Sequence, residues 1–397
     1  MTATHELNPT APATPVLYLA FELSWSTWKL ATSTGLGRKP RLRTIPARNL
    51  GAVLAEIKAA KKRLGLPEDA PVVCCYEAGR DGFWLHRFLQ AQRFGNVVVD
   101  SASIDVNRRK RRAKSDRLDA VKLLVKLIRW SNGESDVWGI VHVPSESDED
   151  HRQLHRELIA LKAELTAHIN TIKGLLASQG LAVSIDEDFP KRLREFRQWN
   201  GLGVPPELSA RLLRIFERWQ LVGRQIQELE RERIQRIRND ENRAVDQVRW
   251  LLNLKGIGEN GAWLLVNELF SWRTFANRRE LASLAGLTPT PYDSGESRRE
   301  QGISKAGNRR VRWMMVQLAW GWLQYQPESE LSQWYNRRFA EGNARQRKIG
   351  IVALARKLLI ALWKYLETGV PPAGAEVVGW KQKTKFASVS LASKASR

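Results

Sequence analysis

The chain has 397 residues, of which 43% are apolar, enough for about two or three domains with substantial cores. Its formal net charge of +22 at pH 7 points to polyanionic partners, either nucleic acid or an anionic membrane surface. No apolar run approaches the roughly 20 residues that span a bilayer, which disfavours a membrane protein. Residues 1–15 lack the basic start and apolar core of a signal peptide, and we expect them to form a disordered leader.

Cys74 and Cys75 are the only cysteines, and they are adjacent in a predicted strand. Neighbours on a strand point to opposite faces, so they cannot form an ordinary disulfide or a zinc site. The sequence therefore predicts a soluble, intracellular protein without disulfides.

Residues 16–145 are predicted to form an α/β domain with a mixed sheet, because strands come first and then alternate with helices. Strands are predicted at 16–22, 28–33, 41–47, 71–77 and 96–100, and helices at 49–64, at 81–92 and from about residue 115.

Carboxylates stand at the ends of three of these elements. Glu22 and Glu77 end two apolar runs, and Asp116 and Asp119 lie in KSDRLDA at the start of a helix. Open α/β sheets build their sites at the carboxyl ends of strands, and helix positions three residues apart share a face. For the aspartate pair alone, complementing a helix N-terminus is the more common explanation. The set of four favours a site for one or two Mg²⁺ ions, which prefer oxygen ligands and clamp the oxygens of a phosphoryl transfer.

A block of cations directly precedes the two aspartates. We expect it to hold nucleic acid through phosphates, with binding that weakens with salt by a log–log slope of about −0.9 per contact. Its members are Arg108, Arg109, Lys110, Arg111, Arg112 and Lys114.

Residues 146–245 are predicted to form an antiparallel coiled-coil hairpin. Apolar positions alternate by four and three from Leu154 to Leu175 and again from Leu212 to Leu229, as in a coiled-coil seam. Such a hairpin is either a spacer or a dimerisation arm. His168 in the first seam is interpreted as a packed polar position, and the acidic run 146–150 as a loop at the domain boundary.

Residues 251–269 follow a helix-hairpin-helix pattern within a helical domain predicted at 246–372. Gly256 and Gly258 permit a tight turn whose backbone N–H groups suit a DNA phosphate, without sequence preference. The alternative is an ordinary helical turn, and the adjacent Lys255 favours the phosphate site.

Ser294 stands before a glycine in a polar, turn-rich loop, where it has little steric cover. A serine among cations can act as a nucleophile on a DNA phosphorus. A turn serine is the more common explanation on residue types alone, and no His or Lys at a short offset identifies a base. The cations that follow are Arg298, Arg299, Lys305, Arg309, Arg310 and Arg312.

The helix from Asn308 carries Trp313, Trp320 and Trp322, most of which we expect in the core. Residues 373–397 are predicted to be a disordered, weakly basic tail.

The chain resembles transposases of the insertion sequence 110 family, especially the subgroup of insertion sequence 1111, over about residues 16–370. The resemblance rests on AFELS (20–24), YEAG (76–79), KSDRLDA (114–120), LKGIG (254–258) and the block from GLTP through SG to ISKAGNRRVR (286–312), which occur in family order.

This resemblance implies an N-terminal RuvC-like domain of the ribonuclease H fold with an acidic tetrad, and a C-terminal transposase domain with a serine nucleophile. It further implies a recombinase that inserts and excises its element, with Mg²⁺, element and target DNA, a structured guide (bridge) RNA and a homo-oligomer, a dimer or a tetramer on DNA, as partners. The expected location is the bacterial cytoplasm, in association with the nucleoid.

Carried over by position, Glu77 matches the glutamate of the tetrad and Asp116 and Asp119 match its last two aspartates. Glu22 stands where the family usually has aspartate; it is one methylene longer but still a carboxylate, so we expect it to be tolerated. Ser294 matches the catalytic serine, with Ser297 and Ser304 nearby.

Two other functions fit part of the pattern. A metal-dependent junction-resolving nuclease would use the acids to activate water, with Ser294 structural and no covalent protein–DNA adduct. A non-enzymatic architectural DNA-binding protein would use the basic charge, the helix-hairpin-helix and the coiled coil, but it leaves the acids unexplained.

Overall fold

The structure is a computed structural model that describes residues 15–104, 116–294 and 297–380. The basic block and the first and last segments of the chain lie outside the described residues. The chain divides into two compact units, residues 1–143 and 144–397, called here the first and the second unit.

The first unit contains a five-stranded mixed sheet in the order β3-β2-β1-β4-β5. β2 runs antiparallel to both β1 and β3, whereas β4 is parallel to β1 and β5 is parallel to β4. The predicted mixed sheet is therefore confirmed. The strands are β1 Leu17–Leu23, β2 Thr27–Ser33, β3 Arg41–Pro46, β4 Val72–Glu77 and β5 Gly95–Val99.

Both faces of this sheet are covered by helices. Helices α1 (Leu50–Arg63) and α2 (Trp84–Ala91) pack on the face that carries Phe21 and Tyr76. Helix α3 (Asp116–Ser131) packs on the opposite face. Because both faces are buried, the central strands are nearly continuous apolar runs.

The adjacent cysteines follow the pleat of β4. Cys74 is buried on the face covered by α1 and α2, and Cys75 on the face covered by α3. Both are free thiols, as the alternation of the strand predicts.

Two long helices, α5 (Gln153–Ala177) and α7 (Pro206–Asn239), run antiparallel in the second unit. Near the start of α5, Leu158 packs against Ile226, whereas near its end Ile172 packs against Ile215. The connection between them is more than a turn, because it contains the short helix α6 (Phe189–Glu195).

The acidic run after Pro144 is a helix, which corrects the predicted loop. Helix α4 spans Glu146–His151 and begins with a capping box, in which Ser145 accepts from the backbone of Asp148 and Asp148 accepts from the backbone of Ser145. Acidic residues in a first helical turn also complement the helix dipole.

The rest of the second unit is a helical bundle with one β-hairpin, so the expectation of a purely helical C-terminal domain is wrong. The hairpin pairs β6 (Pro289–Ser294) with β7 (Ser297–Ile303). The helices are α8 Arg243–Leu252, α9 Glu259–Leu265 with a π-helical extension Val266–Phe270, α10 Arg278–Leu284, α11 Arg309–Tyr325, α12 Glu330–Phe339 and α13 Ala344–Thr368.

The tryptophans of α11 differ from the expectation of a mostly buried face. Trp322 is buried, and its indole N–H donates to the buried hydroxyl of Ser329 at 2.8 Å. Trp313 and Trp320 are both exposed.

The segment that follows residue 372 packs on the bundle as far as Trp380, so the described part of the predicted tail is ordered. Val377 forms an isolated antiparallel β-bridge with Leu254, and the backbone N–H of Val378 donates to the carbonyl oxygen of Asn253 at 2.7 Å. Within the described ranges, no helix is long and apolar enough to span a membrane.

Candidate active site

Glu22 and Glu77 lie side by side at the carboxyl edge of the sheet. The parallel register pairs Phe21 with Tyr76, and each glutamate is the next residue along its strand. Both glutamates are half-buried and line one cleft. Phe21 and Tyr76 face α1 and α2, so strand alternation directs the two glutamates to the face that α3 covers.

Helix α3 is anchored on that face close to Glu77. Ala120 and Leu123 are buried in the same cluster as Cys75, and the Cys75 thiol lies 3.9 Å from the carbonyl oxygen of Leu123. Cys75 is two residues before Glu77, and Leu123 is four residues, or one helical turn, after Asp119.

Asp119 is half-buried in α3 and accepts a hydrogen bond from Nζ of Lys122 at 2.8 Å. Asp116 opens the helix, but its side chain lies outside the described residues, as does the whole block Arg108–Lys114. In the part of the chain that is described, no three His, Cys, Asp or Glu residues are grouped to hold a metal ion. The described geometry thus brings Glu22 and Glu77 into one cleft and places α3, with Asp119, on the same face.

The cleft also holds residues that sequence reasoning missed. Arg80 and Asp81 line it together with the two glutamates. They stand in GRDG (79–82), a segment of turn residues that begins with the last glycine of the YEAG motif. A charged pair between glycines that follows a site strand was the available signal, since loops at strand ends carry functional side chains.

Ser294 is the last residue of β6 and pairs in register with Ser297 of β7. It therefore stands at the end of a strand beside the hairpin tip, and not in the irregular loop that the sequence suggested. The side chains of Ser294, Ser297, Arg298 and Arg299 lie outside the described residues. Ser304 is described, and its hydroxyl oxygen is buried with no hydrogen-bond partner among the described residues, which disfavours contact with a DNA phosphate.

The base of this hairpin is held by close backbone packing. Gly286 (φ +67°) and Gly307 (φ +89°) adopt left-handed conformations, and a Cβ at either one would lie under 3.0 Å from backbone atoms. Arg312 donates to the carbonyl oxygens of Ala285 and Ala306 at 3.3 and 3.4 Å, so this predicted DNA-binding cation also supports the loop. Among the other predicted cations, Lys305, Arg309 and Arg310 are exposed.

The ion pair of Arg156 with the buried Glu268 also holds the base of the hairpin, through Asn308. Asn308 caps α11 and donates to Oε2 of Glu268 at 3.0 Å, while Arg156 of α5 donates to both oxygens of Glu268 at 3.0 and 3.2 Å. Burial by itself raises the pKa of Glu268, but the hydrogen bonds and charge of Arg156, with the Asn308 bond, leave that pKa below its usual value. Glu268 is therefore a buried carboxylate that stays ionised.

In the glycine turn between α8 and α9, Gly256 is covered by α11, whereas Gly258 is not. Gly256 (φ +86°) is closely covered, since a Cβ there would lie 3.0 Å from Cβ of Tyr325. Nζ of Lys255 pairs with Glu376 at 2.6 Å, and its backbone N–H donates to the carbonyl oxygen of Glu376. The space beside Gly258, at the start of α9, is open. Lys255, predicted to face a phosphate, is thus already paired with a carboxylate.

Comparison with known proteins defines the class of this molecule. Residues 248–333 match the model of the transposase IS116/IS110/IS902 family. The chain is 40% identical over 378 residues to y4rJ, a protein of Sinorhizobium fredii named as a transposase, covering 90% of this chain and 94% of that one. It is 28% identical to the transposase for insertion sequence element IS1328 of Yersinia enterocolitica, over 55% of this chain and 63% of that protein.

The protein is therefore a transposase, an enzyme that acts on DNA. It belongs to the IS116/IS110/IS902 family, which confirms the family that its motifs indicated.

Proposed function

We propose that this transposase cuts and rejoins insertion-element and target DNA through a covalent serine–DNA intermediate, with Ser294 as the nucleophile and an acidic site of Glu22, Glu77, Asp116 and Asp119. The observation that carries the proposal is the cleft shared by Glu22 and Glu77 at the carboxyl ends of β1 and β4, in a sheet on which the helix that begins with the two aspartates packs. We further propose that the first unit is RuvC-like, since its strand order and the places of its acids fit that fold.

The residues present fit a magnesium site. Glu22 and Glu77 supply carboxylate oxygens at the rim of the cleft, and these hard ligands suit Mg²⁺. In the proposal Glu22, Glu77, Asp116 and Asp119 hold one or two ions, with Glu22 in the place of the usual aspartate. Bound Mg²⁺ stabilises negative charge on phosphoryl oxygens.

The protein's own step is nucleophilic. Oγ of Ser294 attacks the phosphorus, the bond from phosphorus to the 3′ oxygen breaks, and that oxygen takes up the proton that the serine loses. The DNA stays joined to the serine by its 5′ phosphate, so the phosphodiester bond energy is kept. A 3′-hydroxyl from another strand then displaces the serine and restores its hydroxyl.

The proposed partners follow from charge and family. A net charge of +22 and exposed cations at Lys305, Arg309 and Arg310 suit DNA and a structured bridge RNA, in association with the nucleoid. Helix α7, with 34 residues, is about 50 Å long. We propose that α5 and α7 form a coiled-coil arm of a homo-oligomer, in which the acids of one subunit serve the serine of another.

The test combines purified protein, the RNA of the element's end, Mg²⁺ and end-labelled target DNA, quenched in detergent. We expect DNA shifted by covalently bound protein, which disappears in Ser294→Ala and persists in the matched variant Ser297→Ala. Glu77→Gln should also abolish the adduct, whereas Glu68→Gln, an exposed glutamate of the same unit, should not.

Two outcomes would overturn the proposal. Cleavage without an adduct, unchanged in Ser294→Ala, would identify a metal-dependent nuclease. DNA binding without cleavage, unaffected by Glu77→Gln, would identify an architectural protein.

A further inference from the structure

An exposed tryptophan stands beside the acidic cleft with two arginines against its ring. Trp25 lies in the turn between β1 and β2, three residues after Glu22, and 68% of its surface is exposed. The guanidinium carbons of Arg48 and Arg80 lie 4.7 and 5.0 Å from the ring centroid, within the range of cation–π attraction. Two cations thus contact the indole, yet most of it remains open to a further planar group.

A buried carboxylate holds both arginines in place. Arg48 donates to Oδ1 of Asp81 at 2.9 Å, Arg80 lies 3.5 Å from Oδ2, and only 6% of the Asp81 side chain is exposed. Arg48 also donates to the carbonyl oxygen of Trp25 at 3.1 Å. The four residues therefore form one fixed cluster, in which two positive charges face one negative charge.

The backbone of this cluster is strained. Arg48 has φ +63°, a left-handed conformation that costs a non-glycine residue free energy. Residues in such conformations concentrate at functional sites, where the surrounding structure holds them. Here the strained residue is the one that joins Trp25 to Asp81.

The cluster shares two residues with the acidic cleft. Arg80 and Asp81 line this cleft together with Glu22 and Glu77. A DNA strand whose phosphate approaches the two glutamates would bring its neighbouring nucleotide toward Trp25 and its arginines. Aromatic faces bind unpaired bases by stacking, and arginines bind the adjoining phosphates.

We infer that Trp25, Arg48 and Arg80 form a subsite for an unpaired DNA nucleotide beside the scissile phosphate, with the base stacked on Trp25 and the phosphate held by the arginines. Asp81 is the positioning residue that fixes both guanidiniums. The subsite is independent of base identity, since every base presents a π face. The inference rests on the proposed function for the role of the cleft, but binding at Trp25 is measurable without catalysis.

The first experiment is photo-crosslinking of the full-length protein to single-stranded DNA that carries 5-iododeoxyuridine, followed by peptide mapping. A stacked iodouracil crosslinks to the aromatic ring that it contacts. We expect the main tryptophan adduct at Trp25, lost in Trp25→Ala, while Trp199, which is 94% exposed in the second unit, is crosslinked weakly. Adducts that spread over exposed tryptophans without preference for Trp25 would overturn the inference.

The second experiment measures affinity for the same DNA. Trp25→Ala should weaken binding by about fivefold to 100-fold, which is the loss of one stacked base. Trp25→Phe should recover most of it, and Trp199→Ala should match the native protein. Asp81→Asn, which keeps the size of the side chain but removes the charge that holds the arginines, should weaken binding less than Trp25→Ala.

Several results separate this inference from its alternatives. If Trp25→Ala lowers thermal stability but leaves DNA affinity unchanged, the cluster only stabilises the β1–β2 turn and the inference is wrong. If iodouridine RNA crosslinks to Trp25 and the DNA does not, the proposed occupant is wrong. A missing serine–DNA adduct alongside Trp25 crosslinking would remove the proposed function and leave the subsite.

Discussion

Replacing Gly286 by alanine should destabilise the hairpin that carries Ser294. The added Cβ would lie under 3.0 Å from the carbonyl oxygen of Ala306 and from Nη1 of Arg312. The arginine can move away, but the carbonyl belongs to the backbone just before α11. At φ +67° the alanine also pays for a left-handed backbone, about 1–2 kcal/mol, and overpacking adds about 1–3 kcal/mol. We expect the free energy of unfolding to fall by about 2–5 kcal/mol.

Gly302 gives a matched control within the same hairpin. It also has positive φ, +85°, but a Cβ there meets no atom of the described residues within 4 Å. Gly302→Ala should therefore lose only the backbone contribution, about 1–2 kcal/mol. The difference between the two variants isolates the close approach at Gly286.

The assay is urea unfolding of both variants and the native protein, followed by circular dichroism, with hydrogen exchange of the peptides from Leu284 to Asn308 as a local readout. Local exchange is needed because the chain has two units and global unfolding need not be two-state. Equal losses in Gly286→Ala and Gly302→Ala, globally and locally, would refute the close packing at the hairpin base.

Two further predictions concern buried charge in the second unit. Burial, together with the charge of Arg233, lowers the pKa of His155 to about 4. Between about pH 6.5 and pH 4 the folded state therefore binds fewer protons than the unfolded state. The free energy of unfolding is not reduced by His155 above this window, and it decreases as the pH is lowered through it. Urea midpoints should show a loss of about 2 kcal/mol from pH 7.5 to pH 5 that His155→Gln removes; an unchanged pH slope in the variant would contradict this. Glu268→Gln should cost about 1.5–3 kcal/mol by weakening charged hydrogen bonds at a buried site, whereas Glu230→Gln, in the partly exposed pair with Lys162, should cost under about 1 kcal/mol; similar losses would argue against the buried network.

The sheet and its acids were predictable because they depend on short-range patterns. Apolar runs that end at Glu22 and Glu77 mark central strands, and the pleat fixes the face of each following residue. The adjacent Cys74 and Cys75 show the same rule, since they are buried on opposite faces as predicted. The position of Asp119 on a helix packed against this sheet also follows from periodicity.

The cluster around Trp25 was not predictable, because its members are joined by contacts across loops. Arg48 lies 23 residues from Trp25 and 33 residues from Asp81. No local pattern indicates that a loop arginine adopts a left-handed conformation to reach both. The pairing of Lys255 with Glu376, 121 residues apart, is invisible in the sequence for the same reason.

The strands β6 and β7 were missed because their residues give no apolar alternation. Two-stranded ribbons with polar side chains lack the buried face from which strand patterns arise. By contrast, the loop assigned to residues 146–150 was an avoidable error. Ser145 and Asp148 have the spacing of a capping box, which marks a helix start.

The buried carboxylate of Glu268 connects the long helices with the hairpin that carries Ser294. Arg156, in the first turn of α5, and Asn308, at the start of α11, both donate to Glu268. The backbone N–H of Asn308 also donates to the carbonyl oxygen of Leu284 at 2.7 Å, where the chain enters the hairpin. Because Asn308 lies at the base of the hairpin, Glu268 links the paired long helices to the segment that contains Ser294 through two side-chain contacts.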